Sequence, residues 1–178
     1  MRLARLRSRR RGKPSRRFRR MFFEPLEPRQ LLADTGLPAS ALEIEVTENA
    51  AMQHAESTLT ALRGLKRLGV HIAIDDFGTG YSSLSYLRNF PIDTVKIDRA
   101  FVRDLGIHPN ARTLIAGIIA LARSLELAVV AEGVETEAQR AVLAEEGCSL
   151  LQGYLLGMPL PAAECTALVA AGQQPDGA

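Results

Sequence analysis

Val70-His71-Ile72-Ala73-Ile74-Asp75-Asp76-Phe77-Gly78-Thr79-Gly80-Tyr81-Ser82-Ser83-Leu84 is the stretch whose reading decides the fold. Its first five residues form a short, mostly apolar run that reads as a buried β-strand. Two adjacent carboxylates stand where that strand ends, and a Gly- and Ser-rich loop follows at once. Hard divalent cations take oxygen ligands, so Asp75 and Asp76 at a strand's C-terminal end suit cation binding. The loop offers backbone for a lid or a phosphate contact.

Outward from this strand the pattern alternates. Upstream, residues 41–46 read as a strand and 56–68 as a helix, with Leu59, Leu62 and Leu65 at helical spacing and Gly69 as its C-terminal stop. Downstream, a short helical turn over 84–88 leads to a strand at 94–97. Asn110 is placed to cap a long helix through Leu125, with Leu114, Ile115, Ile118, Leu121, Ala122 and Leu125 on its apolar face. A strand at 127–131, a helix over 136–146 capped by Thr136 and stopped by Gly147, a brief strand at 149–151 and a helix opened by Pro161 complete the series. Strands alternating with helices imply parallel βα units. The strands show no clean period of two, which predicts burial on both faces.

Polar residues collect at the strand ends: Glu45 and Glu48, Asp75 and Asp76, Lys96 and Asp98, Glu132 and Glu135, and Gln152. That is the layout of a (β/α) barrel, whose site gathers residues from the C-terminal ends of several strands. A doubly wound open sheet is the alternative. Only about five strands are readable, where a barrel has eight. Several carboxylates in one place repel each other unless a cation offsets them. A two-metal centre bridged by Asp75 answers that need and suits phosphoester displacement, with Lys96 as a point charge on water or phosphate.

Composition narrows the function classes. Of 178 residues, 47% are hydrophobic, enough for a core and about one domain. The net charge of +2 conceals an asymmetry: residues 1–20 hold 11 of the 22 Lys and Arg and no acid, leaving 11 basic against all 20 acidic residues downstream. Such a block predicts a disordered, solvated tail. A nucleic-acid role for it would need steeply salt-dependent DNA binding and is not the expectation. No run reaches the roughly 18 apolar residues of a membrane helix, and Met21-Phe22-Phe23 is cut short by Glu24 and Pro25, so no secretory signal is expected. Cys148 and Cys165 lack metal or disulfide spacing, which favours a cytoplasmic setting. Gly78-x-Gly80 lacks the third glycine of a dinucleotide fingerprint, and the three histidines share no ligand spacing.

The motifs Glu45-Val46-Thr47-Glu48, Asp75 through Leu84, Lys96-Ile97-Asp98, Ala131-Glu132-Gly133-Val134-Glu135 and Gln152-Gly153-Tyr154 closely resemble, in order and spacing, those of the EAL family of cyclic-di-GMP phosphodiesterases. The resemblance covers about residues 31–171. It implies a TIM-like barrel, here an incomplete one of about five βα units, and Mg²⁺- or Mn²⁺-dependent linearisation of cyclic-di-GMP to pGpG. By motif, Glu45 and Asp75 would hold one metal. Asp75 would bridge to a second, held also by Asp76 and supported by Glu132. Lys96 would orient or deprotonate the attacking water, and Glu48 would anchor the loop after Asp76. Asp98, Glu135 and Gln152 would be supporting contacts around metals and substrate.

The chain departs from the family pattern at its start. The E-A-L tripeptide and the family's asparagine ligand are absent, with Lys13 near the asparagine's place. Leu31 to Gly36 resembles the end of the next family helix, while Leu26-Glu27-Pro28-Arg29-Gln30-Leu31-Leu32 also resembles an L-E-P-R-x-L-L motif of some large bacterial surface proteins. The expectation is therefore a basic tail over 1–30, a partial EAL domain over 31–171 and a flexible end over 172–178. Activity would be impaired or absent, and exposed barrel edges would favour self-association or a partner protein. A non-catalytic cyclic-di-GMP-binding or protein-binding module, and a truncated gene product without a role of its own, are the alternatives.

Overall fold

The computed structural model describes residues 26–80 and 84–171; the arginine-rich segment, Tyr81 to Ser83 and the last seven residues lie outside them. Five strands are present: β1 (Glu43–Thr47), β2 (His71–Phe77), β3 (Thr94–Ile97), β4 (Ala128–Glu132) and β5 (Leu150–Gln152). The helices are α1 (Leu26–Thr35), α2 (Glu48–Gln53), α3 (Ala55–Lys66), α4 (Leu84–Asn89), α5 (Arg99–Arg103), α6 (Ala111–Ser124), α7 (Glu137–Glu145) and α8 (Ala162–Ala171), with a short 3-10 turn at Ala39–Ala41. All strands are parallel and pair in chain order, β1-β2-β3-β4-β5. A doubly wound sheet must reverse its order at a switch point. None of the described strands does so, and the singly wound order is that of a barrel wall. Helix α1 starts at Leu26, beyond the basic block of residues 1–20.

The register sorts the strands into two faces, because residues in register point the same way. On one face run Val46, Ile74, Val95 and Val129, then Phe77, Ile97, Ala131 and Leu151. These rows pack beneath the helices in two apolar clusters that include Leu62 and Leu65 of α3, Ile115 and Ile119 of α6, and Leu143 of α7. On the other face stand Glu43, Glu45, Thr47, Asp75, Thr94, Lys96, Glu132 and Gln152. Burial on both faces, expected from the sequence, therefore holds only for the middle strands. β1 and β4 alternate buried and more exposed residues; opposite the helices β1 presents Glu43, Glu45 and Thr47, and β4 presents Ala128, Val130 and Glu132.

Between β2 and β3 the register slips between Ile74 and Phe77. Ile74 pairs with Val95 and Phe77 with Ile97, so three steps on β2 match two on β3. This is a β-bulge. Asp76 lies within it with φ of +54°, left-handed backbone that aspartate tolerates better than most residues. Strict alternation would put Phe77 on Asp75's polar face. The extra residue turns Phe77 into the helix-covered core, where it is 4% exposed, and leaves Asp75 on the polar side.

Two local expectations change. Asn110 precedes α6 but makes no side-chain cap. The buried stripe of α6 is Ala111, Ile115, Ile119 and Ala122, which leaves Leu114 53% exposed. Thr136 does cap α7, in a reciprocal capping box with Gln139.

Candidate active site at the strand ends

Lys96 is the centre of the polar face. Its side chain is 6% exposed, and its Nζ lies 2.6 Å from Glu45 Oε1, 2.6 Å from Glu132 Oε1 and 3.4 Å from Asp75 Oδ1. Four consecutive strands, β1 to β4, thus each contribute one charged group to a single cluster. Asp75 Oδ1 is buried and accepts no hydrogen bond; the ammonium nearby is an ion-pair partner only.

Three carboxylates face one ammonium, a formal excess of two negative charges. Burial alone would lower the Lys96 pKa, but hydrogen bonds to Glu132 and Glu45 and the Asp75 charge outweigh it and push the value up. Lys96 is held firmly protonated, which suits orienting a water or phosphate better than deprotonating one. Glu132 is shifted upward too, first by burial and also by Asp75 and Glu45, with Lys96 opposing. Burial is thus the main reason that Glu132 is held above its ordinary range, and the two neighbouring carboxylates add to it.

The donor chemistry fits a hard divalent cation. The converging groups are all carboxylates, and one buried oxygen lacks a hydrogen bond. Among the described residues, however, no three His, Cys, Asp or Glu side chains are already gathered as a ligand set. Lys96 Nζ takes the focus instead.

The remaining predicted residues surround this cluster unevenly. Glu48, 1% exposed, opens α2 directly after β1, where Thr47 caps the helix by accepting the Ala50 amide. Its Oε2 accepts the Gly78 N–H at 2.8 Å, joining α2 to the turn after β2. A Cβ on Gly80 would lie 2.9 Å from Glu48 Oε1, so this turn rests against α2. Asp76 is half-buried at the bulge, and its carbonyl accepts from Thr79 N and Oγ1 at 3.3 and 2.8 Å. Asp98 caps α5 by accepting the Ala100 amide at 2.8 Å. Glu135 is exposed, with its amide bonded to Gln139 Oε1. Gln152 pairs with Glu132 across the sheet and is exposed. The structure therefore brings Glu45, Asp75, Lys96 and Glu132 into contact, ties Glu48 to the neighbouring turn and sets Asp98 to capping.

Sequence reasoning missed Glu43, whose Oε2 accepts from Thr94 Oγ1 at 3.4 Å on the polar face. The two-residue alternation of Glu43, Glu45 and Thr47 was its available signal.

Comparison with known proteins gives a consistent picture. Residues 13–159 match the family model of the EAL domain. The cyclic di-GMP phosphodiesterase NbdA of Pseudomonas aeruginosa is 50% identical over 137 residues, which cover 77% of this chain and 18% of NbdA. A solved structure of the PaMucR phosphodiesterase with c-di-GMP superposes with a TM-score of 0.75 at 48% identity, covering 77% of this chain and 56% of that one. The manganese/cy-diGMP complex of Klebsiella pneumoniae BlrP1 gives 0.68 at 38% identity, covering 74% of this chain and 33% of that one. The chain spans about a fifth of the length of the curated relatives it matches.

Proposed function

The chain belongs to the EAL domain family, and we propose that its strand-end cluster is part of a divalent-metal centre acting on cyclic-di-GMP, with hydrolysis to pGpG as the ancestral reaction. The observation that carries this reading is Lys96 enclosed by Glu45, Asp75 and Glu132 from three neighbouring strands, with negative charge in excess. Relatives at 38–50% identity are named as a phosphodiesterase of this nucleotide or were solved with it.

In this proposal Glu45, Asp75, Asp76 and Glu132 hold Mg²⁺ or Mn²⁺. Bound there, the cations would lower the pKa of water and stabilise charge on the phosphoryl oxygens. Lys96 keeps its proton and orients the water or phosphate. Glu48 fixes the turn after Asp76, and Asp98 seats α5 behind Lys96. Glu135 and Gln152, both exposed beside Glu132, contact substrate. A cytoplasmic setting is part of the proposal and rests on the free state of Cys148 and Cys165. No described helix is long and apolar enough to cross a membrane.

A second reading is binding without turnover. It is favoured by Lys96 closing on the carboxylates and by the absence of an E-A-L tripeptide from the sequence. Calorimetric titration of the 178-residue chain with cyclic-di-GMP, with and without Mn²⁺, combined with chromatographic detection of pGpG, decides between them. We expect metal-strengthened binding with little or no pGpG. Sustained metal-dependent release of pGpG would establish the enzyme, and no binding in either condition would overturn both readings.

A further inference from the structure

The turn after β2 is seated from two sides, and only one of them belongs to the cluster described above. On the first side, Glu48 accepts the Gly78 amide, and Gly80 lies against Glu48 and Asn49: a Cβ there would come within 2.7 Å of Asn49 Oδ1. On the second side is Phe101 of α5. A Cβ on Gly78 would lie 2.8 Å from Phe101 Cε2 and 3.0 Å from its Cζ, with Ile118 Cδ1 of α6 behind at 3.5 Å. Gly78 has φ of +93°, so it has neither a side chain nor an ordinary backbone conformation with which to fix itself. The bonds from Thr79 to the Asp76 carbonyl close the turn on itself but do not set where it lies. Its place is set from outside, by an acceptor in α2 and a ring in α5.

The ring is well placed for this. Phe101 follows Asp98 by three residues, and the Asp98 side chain caps α5 at its start. Lys96 lies two residues before Asp98, at the end of β3. The strand that carries the central lysine therefore runs directly into the helix that carries the ring. Phe101 is only half-buried and packs at the margin of the second apolar cluster, beside Ile118.

We propose that Phe101 is a positioning residue for the Asp76–Gly80 turn: its ring sets how deeply the turn seats on Glu48, and thereby where Asp76 is held for a divalent cation. The cation clause rests on the proposed function, whereas the seating clause rests on packing alone. Phe101 acts through Gly78.

The test uses the full chain and two readouts. Hydrogen exchange at the Gly78–Gly80 amides is measured in EDTA, and Mn²⁺ affinity by calorimetry, for wild type, Phe101→Leu and Phe101→Ala. The alanine variant is expected to exchange these amides at least about tenfold faster while the α6 amides keep their wild-type rates. It is also expected to bind Mn²⁺ about tenfold more weakly, the scale seen when a group supporting metal ligands is removed. Phe101→Leu, which keeps apolar bulk against Gly78, should restore most of both. Wild-type exchange at these amides in Phe101→Ala would overturn the proposal. So would equal loosening of α6, since that is general destabilisation. If wild type itself takes up no Mn²⁺, the metal centre of the proposed function fails, and Phe101 is then judged on exchange alone.

Discussion

The two ends of this sheet each carry a buried-to-half-buried charge cluster built around one lysine, and they are balanced in opposite ways. At the N-terminal end, Asp93 accepts from Lys66 Nζ through both oxygens, at 2.7 and 2.8 Å, and from the Ile72 amide at 2.8 Å. Its own backbone joins β2 to β4, donating to the Ile72 carbonyl and accepting from the Ala128 amide. Burial alone would raise the Asp93 pKa, but Lys66, the Ile72 amide and His71 more than offset this and lower it. One acid has one full partner and spare donors. At the C-terminal end, three acids share one lysine, and Asp75 Oδ1 has no hydrogen bond. The first cluster is complete as it stands. The second carries more acid than base, and it lies at the end of the strands where a βα barrel carries its chemistry, whereas the first lies at the end that serves stability.

Removing the lysine should break the comparison most sharply. Lys96→Met leaves Glu45, Asp75 and Glu132 facing one another without a counter-charge. Loss of one partner from a buried ionic cluster costs about 3–5 kcal/mol, and that loss is expected in EDTA. Mn²⁺ should then recover much of it, because the lysine no longer competes for the carboxylates. Denaturant midpoints with and without Mn²⁺ check this. A variant as stable as wild type in EDTA would mean that the C-terminal cluster carries no excess charge to offset.

At the other end the effect should be smaller and indifferent to metal. Asp93→Asn loses the ion pair with Lys66 but retains an acceptor for the Ile72 amide. A destabilisation of about 1–3 kcal/mol is expected, unchanged by Mn²⁺. If Mn²⁺ restored Asp93→Asn as well, the division between a structural end and a chemical end would be wrong.

The strand ends were readable because the apolar runs of β2 and β4 stop abruptly at Asp75 and Glu132, charged Glu45 and Lys96 stand one residue before the last apolar residue of β1 and β3, and a parallel βα order places all such ends together. The convergence itself was harder to foresee. Ile74-Asp75-Asp76-Phe77 fits straight pleating as well as a bulge, and only pairing with β3 shows that Phe77 joins the row of Ile97 while Asp75 keeps the polar face. The short helices α2 and α5 escaped notice because five or six residues carry too little periodicity. Their signals were the caps, Thr47 and Asp98, and Asp98 reads from the sequence as a strand-end polar group instead. The alternation of Glu43, Glu45 and Thr47 was present but was outweighed by the apolar middle strands, whose polar face is buried by its neighbours rather than by helices. Asp93 was invisible as a functional partner because its two side-chain donors, Lys66 Nζ and the Ile72 amide, come from α3 and β2, 21 to 27 residues away.

The finest distinction is in pH dependence, where the two ends have opposite signs. Asp93 has a folded pKa below its ordinary value, so the unfolded chain binds the extra proton. Its contribution to stability is complete above the unfolded value of about 3.9 and falls away as pH drops through the lower folded value. Glu132 has a folded pKa above its ordinary value, so the folded chain binds the extra proton. Acidification from neutrality through that raised value therefore favours the folded state, and the gain is complete once pH has fallen below the unfolded value of about 4.3. Melting temperatures of wild type, Glu132→Gln and Asp93→Asn in EDTA from neutral pH to about 3 separate these contributions. Relative to Glu132→Gln, wild type should gain as pH falls toward about 4.3. Relative to Asp93→Asn, it should hold its advantage over that range and lose it only below about 3.9. Parallel curves for the three proteins would mean that the lysine at the C-terminal end already satisfies its acids, and the excess negative charge that motivates a cation there would have to be abandoned.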